Sequence, residues 1–261
     1  MVEFAILTVL PSAAMDTLST LPAAPVLVTA ATPLELDHLA RALGTAWEHV
    51  PLRREVATGE VNGIPVLLAV TGMGKVNAAS AVTSLLEHCQ PRLLVNTGCA
   101  GAYGGSDLAV GDLAVASVEI YGDDGVVTTQ GWEPLDLIGI PLLEKKGRRY
   151  YNEFPLSLSA GEKAMRLAVA LGLPAKRGRF VTVSACSGSV VRGDELAARF
   201  GALCENMEGA AVAHVALMYG VDCLEVRGIS NMVEDRDLSR WDIPRAVESV
   251  QRFVLKYIES L

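Results

Sequence analysis

The residues best suited to chemistry in this sequence lie between Glu205 and Asp237. An acidic residue, Glu208, opens a predicted helix of small residues, and an apolar strand follows that helix. The strand ends in a run of polar side chains: Arg227, Ser230, Asn231, Glu234, Asp235, Arg236 and Asp237. Polar groups at the carboxyl end of an apolar strand are typical of ligand sites in α/β sheets. The stretch therefore predicts a site for a small molecule.

Other predicted strands also end in small or polar residues, in the sequences TAATP, TGMGK, NTGCAG and SACSGS. Glycine at such a turn lets backbone N–H groups approach a ligand closely. TGMGK matches neither GxGxxG nor GxxxxGKS/T, so neither the dinucleotide nor the P-loop fingerprint applies. Because ligands bind outside the carboxyl ends of the strands, these turns together predict one shared pocket.

Short apolar runs alternate with helical patterns, and this alternation predicts the elements that position the site. Strands are predicted at 25–31, 64–72, 92–98, 112–122, 179–189 and 223–230. Helices are predicted at 33–44, 73–89, 159–172, 193–200, 207–220 and 243–261. This order indicates an α/β fold, a three-layer α/β/α sandwich around a mixed, mostly parallel central sheet. We expect one domain over residues 25–261, preceded by an amino-terminal extension over residues 1–24.

Composition and charge exclude several classes of protein. Of the 261 residues, 51% are hydrophobic, which is enough for a large core, and the formal net charge is −8. An acidic balance argues against a nucleic-acid partner, since nucleic-acid binders carry basic patches. No apolar run reaches the roughly 20 residues of a membrane span, and the start lacks a basic region before its apolar residues. We therefore expect a cytoplasmic protein that does not bind membranes.

Cysteine and histidine patterns give no sign of a metal site. The five cysteines contain no CxxC, and four of them lie in or beside apolar runs, which indicates buried, reduced thiols. The four histidines show no HExxH or other ligand spacing. We expect no metal and no organic cofactor.

Several motifs together resemble the nucleoside phosphorylase and nucleosidase superfamily over about residues 25–261. They are TGMGKVNAA (71–79), NTGCAGAYGG (96–105), VGD (110–112), MEGAAVAHVA (207–216) and VRGISN (226–231). Within that superfamily, the tail RGISNMVEDRD, the following Trp241 and the long segment 122–155 are most similar to futalosine hydrolases. Those enzymes cleave the N-glycosidic bond of futalosine to hypoxanthine and dehypoxanthine futalosine, on a route to menaquinone. The resemblance also implies a nucleoside phosphorylase-like fold.

The resemblance assigns roles to individual residues. Glu208 would accept hydrogen bonds from the 2′ and 3′ hydroxyls of a ribose, while Met207 packs on the sugar. Glu35 would orient and deprotonate the attacking water, although the family carries a run of acids here and this chain reads TPLEL. The alternative for Glu35 is a first-turn or surface carboxylate, which is common at helix starts.

Asn231 replaces the aspartic acid that protonates purine N7 in adenine-specific nucleosidases. An amide cannot supply a proton, but its NH₂ can serve the N7 and O6 acceptors of a 6-oxopurine, which fits hypoxanthine better than adenine. The acid that protonates the leaving purine is then unassigned, and Asp235 is the nearest candidate in the sequence. The alternatives are a strand-end turn former for Asn231 and a solvated loop residue for Asp235.

Five further positions complete the predicted substrate-binding set: Cys99, Ala100, Gly101, Arg227 and Ser230. Cys99 stands where the family usually has serine and is predicted to be pocket wall. A nucleophilic role for Cys99 lacks a neighbouring histidine or basic residue to lower its pKa. For Arg227, a structural ion pair and a pocket role both remain open.

The 122–155 segment is the least regular part of the chain, and such segments usually carry function or a partner surface. Arg148 or Arg149 could meet the carboxylate of futalosine, and Trp132, Tyr150 or Tyr151 could stack on its aryl ring. Family members commonly dimerise, so we expect a homodimer or a higher homo-oligomer.

Hydrolysis is favoured over phosphorolysis. A phosphorylase needs arginines around phosphate, and AATPLEL and TGMGKVNAA lack the two that family phosphorylases carry. The alternatives to a futalosine hydrolase are a methylthioadenosine/S-adenosylhomocysteine-type nucleosidase and a purine nucleoside phosphorylase. A non-enzymatic nucleoside-binding protein is the alternative outside the enzymes.

Overall fold

Strands and helices alternate through the chain from Val26 onward. The computed structural model describes residues 23–50 and 54–261, so almost all of the extension expected at 1–24 lies outside the described residues. The strands are β1 Val26–Ala30, β2 Glu48–Val50, β3 Arg54–Val61, β4 Ile64–Val70, β5 Leu93–Ala102, β6 Leu113–Tyr121, β7 Val126–Thr128, β8 Gly131–Glu133, β9 Leu143–Lys145, β10 Arg148–Tyr150, β11 Glu153–Pro155, β12 Ala175–Thr182, β13 Ala202–Asn206 and β14 Cys223–Met232. The α-helices are α1 Asp37–Leu43, α2 Lys75–Leu86, α3 Leu158–Ala170, α4 Val190–Phe200, α5 Gly209–Tyr219 and α6 Ile243–Glu259.

Ten of the described strands form one mixed sheet. Its two longest ladders, β14 on β5 and β12 on β6, are parallel. The strands β5, β14, β6, β12 and β13 pair in turn, and β13 pairs back onto β5, so these five close into a ring. The sheet continues from β5 through β1, β4 and β3 to β2. The ring brings residues from distant parts of the chain to a common centre.

Helices cover both faces of the sheet, as the three-layer prediction requires. On one face α2 and α5 bury small and aliphatic side chains such as Ala78, Val82 and Val212. On the other face α1, α3 and α6 bury a second cluster that includes Leu39, Ala164 and Phe253. The α/β sandwich is therefore confirmed. No helix in the described part of the chain is long and apolar enough to cross a membrane.

Two strands extend further than the sequence predicts. β5 does not end at Gly98 but continues through Ala102, because its last residues pair with β13 and β14. β14 likewise continues to Met232, with a register shift between Ile229 and Asn231. Cys99, Gly101 and Asn231 therefore lie on paired strands rather than on loops. Pairing partners far apart in sequence hold this backbone extended.

Gly228 lies where α6 crosses β14. A Cβ atom at Gly228 would lie 2.1 Å from the carbonyl oxygen of Ala246 in α6. Overpacking against backbone forces a shift, so we expect Gly228→Ala to lower the free energy of unfolding by about 3 kcal/mol. Gly104→Ala is the control, because a Cβ there meets only Asp194 Oδ1, at 3.6 Å. Urea denaturation measures both variants, and an equal loss in the two would contradict the close packing of α6 on β14.

Candidate active site

Glu35 lies on the turn that follows β1, and three hydrogen bonds fix its carboxylate. Oε2 accepts from the backbone N–H of Thr32 at 3.0 Å and from its hydroxyl at 2.9 Å. Oε1 accepts from the backbone N–H of Cys99 at 3.0 Å. Glu35 is 6% exposed. The carboxylate is therefore held across the gap between β1 and β5. Glu35 is a buried first-turn residue of the 3₁₀ turn Pro33–Glu35 and closes a capping box with Thr32, so the first-turn alternative describes its position and the surface alternative does not. Its role as the base stays a prediction.

Glu208 lies at the junction of β13 and α5, as the N-cap residue of α5. Its Oε1 accepts from the backbone N–H of Gly74 at 2.9 Å, and its Oε2 lies 3.7 Å from Nη1 of Arg227. Burial raises the pKa of Glu208, and Arg227 and the Gly74 N–H oppose that rise. A carboxylate held at one oxygen in this way keeps lone pairs for a polar ligand.

Arg227 is the centre of the cluster and is 1% exposed. Its Nε donates to Glu225 Oε1 at 2.8 Å, and its Nη1 donates to the Cys99 carbonyl oxygen at 3.4 Å. Burial opposes the charge of Arg227, but Glu225, Glu208 and Glu35 more than offset it and raise the pKa of the guanidinium. Arg227 is therefore a buried structural cation that borders the site.

Gly98 allows Glu35 and Arg227 to approach each other. Its φ is +141°, and a Cβ atom there would lie 2.5 Å from Glu35 Oε1 and 2.9 Å from Arg227 Nη1. Both the backbone conformation and the space favour glycine. Any side chain at position 98 would separate the carboxylate from the guanidinium.

The end of β14 brings Ser230 and Asn231 next to β5. The register shift at Ser230 is a β-bulge, a feature that re-aims side chains beside sites. The Ser230 hydroxyl lies 3.2 Å from the Ala100 carbonyl oxygen and 2.8 Å from Asn231 Oδ1. Asn231 Nδ2 donates to the Met232 carbonyl oxygen at 3.0 Å, and the residue is 8% exposed. Asn231 is thus a buried amide on a strand and not a solvated turn residue.

Cys99 is a poor candidate nucleophile. Burial, with the nearby Glu35 carboxylate, raises the pKa of its thiol to about 12. The thiolate needed for attack is therefore scarce at neutral pH. Cys99 contributes to the site through its backbone, which donates to Glu35 and accepts from Arg227.

Asp235 lies apart from this cluster in the described structure. It is exposed, and its Oδ1 accepts from the backbone N–H of Val190, the first residue of α4. A carboxylate at a helix N-terminus is stabilised by the free N–H groups there. Met207 is half-buried beside Glu208 in the chain.

The aromatic and basic residues of the middle segment lie elsewhere. Arg148 and Tyr150 line a surface depression beside Gly220, after the C-terminal end of α5, whereas Glu208 is at its N-terminal end. With 11 residues in α5, about 16 Å separates the two ends. Arg149 pairs with Glu144 at 3.4 Å.

Trp132 packs edge-on against Phe200 with 5.5 Å between ring centroids, and Tyr151 is half-buried next to Tyr150. Arg148 and Tyr150 therefore lie at the opposite end of α5 from Glu208. Their contact with a ligand stays a prediction, since composition says nothing about which end of a helix a hairpin packs on.

The sequence interpretation missed four buried polar residues beneath α5: Glu119, Thr182, Asn206 and Glu225. It also missed a clamp at the rim, where Lys75 Nζ lies 2.7 Å from Asp123 and 2.5 Å from Asp124. Asp123 in turn accepts from the Ser184 backbone N–H at 2.6 Å. Glu225 could have been assigned to the site from the sequence. Residues two apart on a strand share a face, and Arg227 is two residues after Glu225.

The site thus combines two anchored carboxylates, Glu35 and Glu208, with a buried amide and a buried guanidinium. Such a set can hold water at one carboxylate and a polyhydroxyl ligand at the other. Among the described residues, no group of three or more His, Cys, Asp and Glu side chains could hold a metal ion.

Comparisons with known proteins agree with this architecture. The methylthioadenosine/S-adenosylhomocysteine nucleosidase of Neisseria meningitidis, solved with methylthio-immucillin-A, aligns with a TM-score of 0.78 at 23% identity, over 91% of this chain and 100% of that chain. The S-adenosylhomocysteine nucleosidase of Streptococcus pyogenes aligns with a TM-score of 0.78 at 24% identity, over 93% and 99%. The nucleosidase of S. pneumoniae, solved with a transition-state inhibitor, aligns with a TM-score of 0.76 at 25% identity, over 90% and 98%.

A protein-family model also matches this chain. The model of the phosphorylase superfamily matches residues 25–259, which include β1 through α6 and every residue of the site described above. This chain is a member of the phosphorylase superfamily.

Proposed function

We propose that this protein is a nucleosidase that hydrolyses the N-glycosidic bond of a purine nucleoside. The observation that carries the proposal is the placement of two anchored carboxylates, Glu35 and Glu208, around one buried guanidinium. The solved structures of similar fold support it, because they are nucleosidases and were captured with nucleoside analogues. A positioned base and a sugar clamp are what hydrolysis of a glycosidic bond requires.

The proposed mechanism gives each residue one task. Glu208 accepts hydrogen bonds from the ribose hydroxyls, and Met207 packs on the sugar. The bond between C1′ and the purine nitrogen breaks with its electron pair going to the purine, which leaves an oxocarbenium-like sugar. Glu35 takes a proton from water, whose oxygen bonds to C1′. The purine takes a proton from the leaving-group acid proposed below, and the proton held by Glu35 then restores that acid through solvent, so that one water adds across the bond.

Hydrolysis is favoured over phosphorolysis because two cations that border the site are already paired with carboxylates. Arg227 is held by Glu225 and Glu208, and Lys75 is held by Asp123 and Asp124. A phosphate would have to displace a carboxylate from either cation. The site therefore suits water better than an anionic nucleophile.

Within the nucleosidases, we propose futalosine as the substrate and hypoxanthine as the leaving base. The support is Asn231, whose amide suits a 6-oxopurine, together with the resemblance of the RGISNMVEDRD tail to futalosine hydrolases. Ser230, Cys99, Ala100 and Gly101 form the wall beside it. Asp235 could supply the leaving-group proton after releasing the Val190 N–H. A methylthioadenosine/S-adenosylhomocysteine-type activity is the second candidate, because the solved neighbours carry it.

The proposal includes self-association. Exposed apolar side chains occur at the rim of the site, at Met73 and Val76, and in the middle segment, at Val127, Ile138 and Ile140. We propose that they lie in a common interface, since a contiguous exposed apolar patch marks a protein interface. A homodimer would cover it, and sedimentation velocity measures whether the chain dimerises.

The activity itself is tested by purine release from futalosine, inosine and methylthioadenosine, each with and without phosphate. We expect hypoxanthine from futalosine at a rate independent of phosphate, because Arg227 and Lys75 are each already paired with carboxylates. Chromatography of the released base gives the result. Phosphate-dependent release would contradict the hydrolase, and release of adenine alone would assign the second candidate.

Substitution of Glu35 tests its role as the base. We expect Glu35→Gln to lower kcat by about 10²- to 10⁴-fold, the usual contribution of a positioned base. Binding of hypoxanthine, measured by calorimetry, should change much less. Glu60→Gln, at an exposed acid on β3, is the control and should leave kcat unchanged. An active Glu35→Gln enzyme would remove Glu35 from the reaction.

Substitution of Asn231 tests the choice of base. Asn231→Asp introduces an acid that can protonate N7, so the ratio of kcat/KM for adenine nucleosides to that for hypoxanthine nucleosides should rise about tenfold or more. Ser239→Asp, on the exposed surface after the same strand, is the matched acidic control. An unchanged ratio in Asn231→Asp would mean that residue 231 does not contact the purine.

A further inference from the structure

Two wholly buried carboxyl groups meet beneath the N-terminus of α5, and the mechanism above does not use them. They belong to Glu119 on β6 and Glu225 on β14, each with 0% exposure. A Cβ atom at Gly209, the first residue of α5, would lie 2.1 Å from Glu119 Oε1 and 2.6 Å from Glu225 Oε1. The glycine therefore lets both carboxyl groups converge under the residue that follows Glu208.

Glu119 holds the two side chains that cap this helix. Its Oε2 accepts from Thr182 Oγ1 at 2.7 Å, and its Oε1 accepts from Asn206 Nδ2 at 2.6 Å. Asn206 Oδ1 then accepts from the backbone N–H groups of Glu208 at 3.0 Å and Gly209 at 2.7 Å. Thr182 Oγ1 accepts from the backbone N–H of Ala210 at 2.7 Å. Two hydrogen bonds therefore separate Glu119 from the backbone of Glu208.

Glu225 acts from the other side, through the guanidinium. Residues two apart on a strand point to the same face, so Glu225 and Arg227 share one face of β14 and pair at 2.8 Å. Nη1 of Arg227 lies 3.7 Å from Glu208 Oε2, which is longer than a direct hydrogen bond. Glu225 thus turns the guanidinium partly away and leaves Glu208 Oε2 able to accept from a ligand.

We propose that Glu119 and Glu225 are positioning residues for Glu208: Glu119 fixes its backbone through Asn206 and Thr182, and Glu225 fixes its carboxylate through Arg227. Neither carboxyl group touches the ligand in this scheme. The inference rests on the proposed function, because it takes Glu208 to be the residue that binds the ribose hydroxyls. It adds two residues that no motif in the sequence marks as part of the site.

The electrostatics of the pair agree with this division of roles. Burial and the neighbouring Glu225 raise the pKa of Glu119 well above its usual range, and Thr182, Arg227 and Asn206 only partly offset that rise. The other titratable groups whose electrostatics involve Glu119 are Tyr121, Cys204 and Cys223, and their own pKa values are raised, chiefly by burial. Replacing Glu119 by glutamine keeps the size of the side chain and removes its titratable group.

The test compares ribosyl and 2′-deoxyribosyl substrates, because only the ribosyl form has the hydroxyl that Glu208 is proposed to hold. We expect Glu119→Leu and Glu225→Gln each to lower kcat/KM for inosine about tenfold while changing that for 2′-deoxyinosine far less. Glu119→Gln should retain the preference for ribose, since it keeps the shape of the side chain and polar atoms within reach of Asn206 and Thr182. Circular dichroism and thermal unfolding verify that each variant is folded.

Equal losses on both substrates would overturn the inference, since a general structural defect lowers both. Retention of the ribose preference in Glu225→Gln would overturn the part assigned to Glu225. If Glu119→Leu does not fold, Glu119→Asp tests the same residue, because the shorter side chain withdraws the carboxyl group from Asn206 and Thr182. A fall in the ribose preference of Glu119→Asp supports the inference, and an unchanged preference contradicts it.

The inference can be separated from the proposed function by calorimetry. If the unaltered chain binds inosine more tightly than 2′-deoxyinosine but hydrolyses neither inosine nor futalosine, the proposed hydrolysis fails. The same binding ratio in the variants then still tests the positioning of Glu208. No preference between the two nucleosides in the unaltered chain would overturn the inference, whether or not the chain is a hydrolase.

Discussion

The buried guanidinium of Arg227 is the interaction on which the rest of the site depends. A lone cation in the interior is prohibitively costly, and an anion there is equally so. Arg227 is tolerated because Glu225 and Glu208 face it at 2.8 Å and 3.7 Å, with Glu35 close by. In turn, the guanidinium offsets the mutual repulsion of the Glu35 and Glu208 carboxylates, so both can stay ionised for their proposed roles. Fold and site therefore depend on each other.

The closed ring of strands explains how such a cluster can form. Glu119, Thr182, Asn206 and Glu225 come from β6, β12, β13 and β14, and the ring gives them one shared centre. The three carboxyl groups that act on Arg227, those of Glu35, Glu208 and Glu225, outnumber its single guanidinium. An excess of negative charge in a low-dielectric site stabilises positive charge that develops on a sugar ring. The arrangement is thus suited to an oxocarbenium-like transition state.

Local pattern was enough to predict the layers and the alternation of elements. Glu208 and Arg227, which were both assigned to the pocket, lie 3.7 Å apart, while the roles of the site residues stay predictions. Local pattern was not enough for the closure of the ring, because β13 was not predicted as a strand and pairs with the distant β5, Cys204 opposite Ala102. The β3–β4 hairpin was missed although Asn62 and Gly63 carry its signal, with φ values of +51° and +77°. Glu119 reads locally as a strand residue with an outward charge, and only its long-range partners reveal that it is buried.

Long-range contacts also determine which residues would contact the part of the substrate beyond the ribose. Glu208 is joined to Gly74, and Lys75 clamps that loop to Asp123 and Asp124, so this rim lies next to the bound sugar in the proposed mode. Arg148 lies at the other end of α5. A 5′ substituent would pass over the rim, where Met73 is 63% exposed. The part of the substrate that distinguishes one nucleosidase from another would then meet exposed surface of the single chain, which the proposed homodimer would cover.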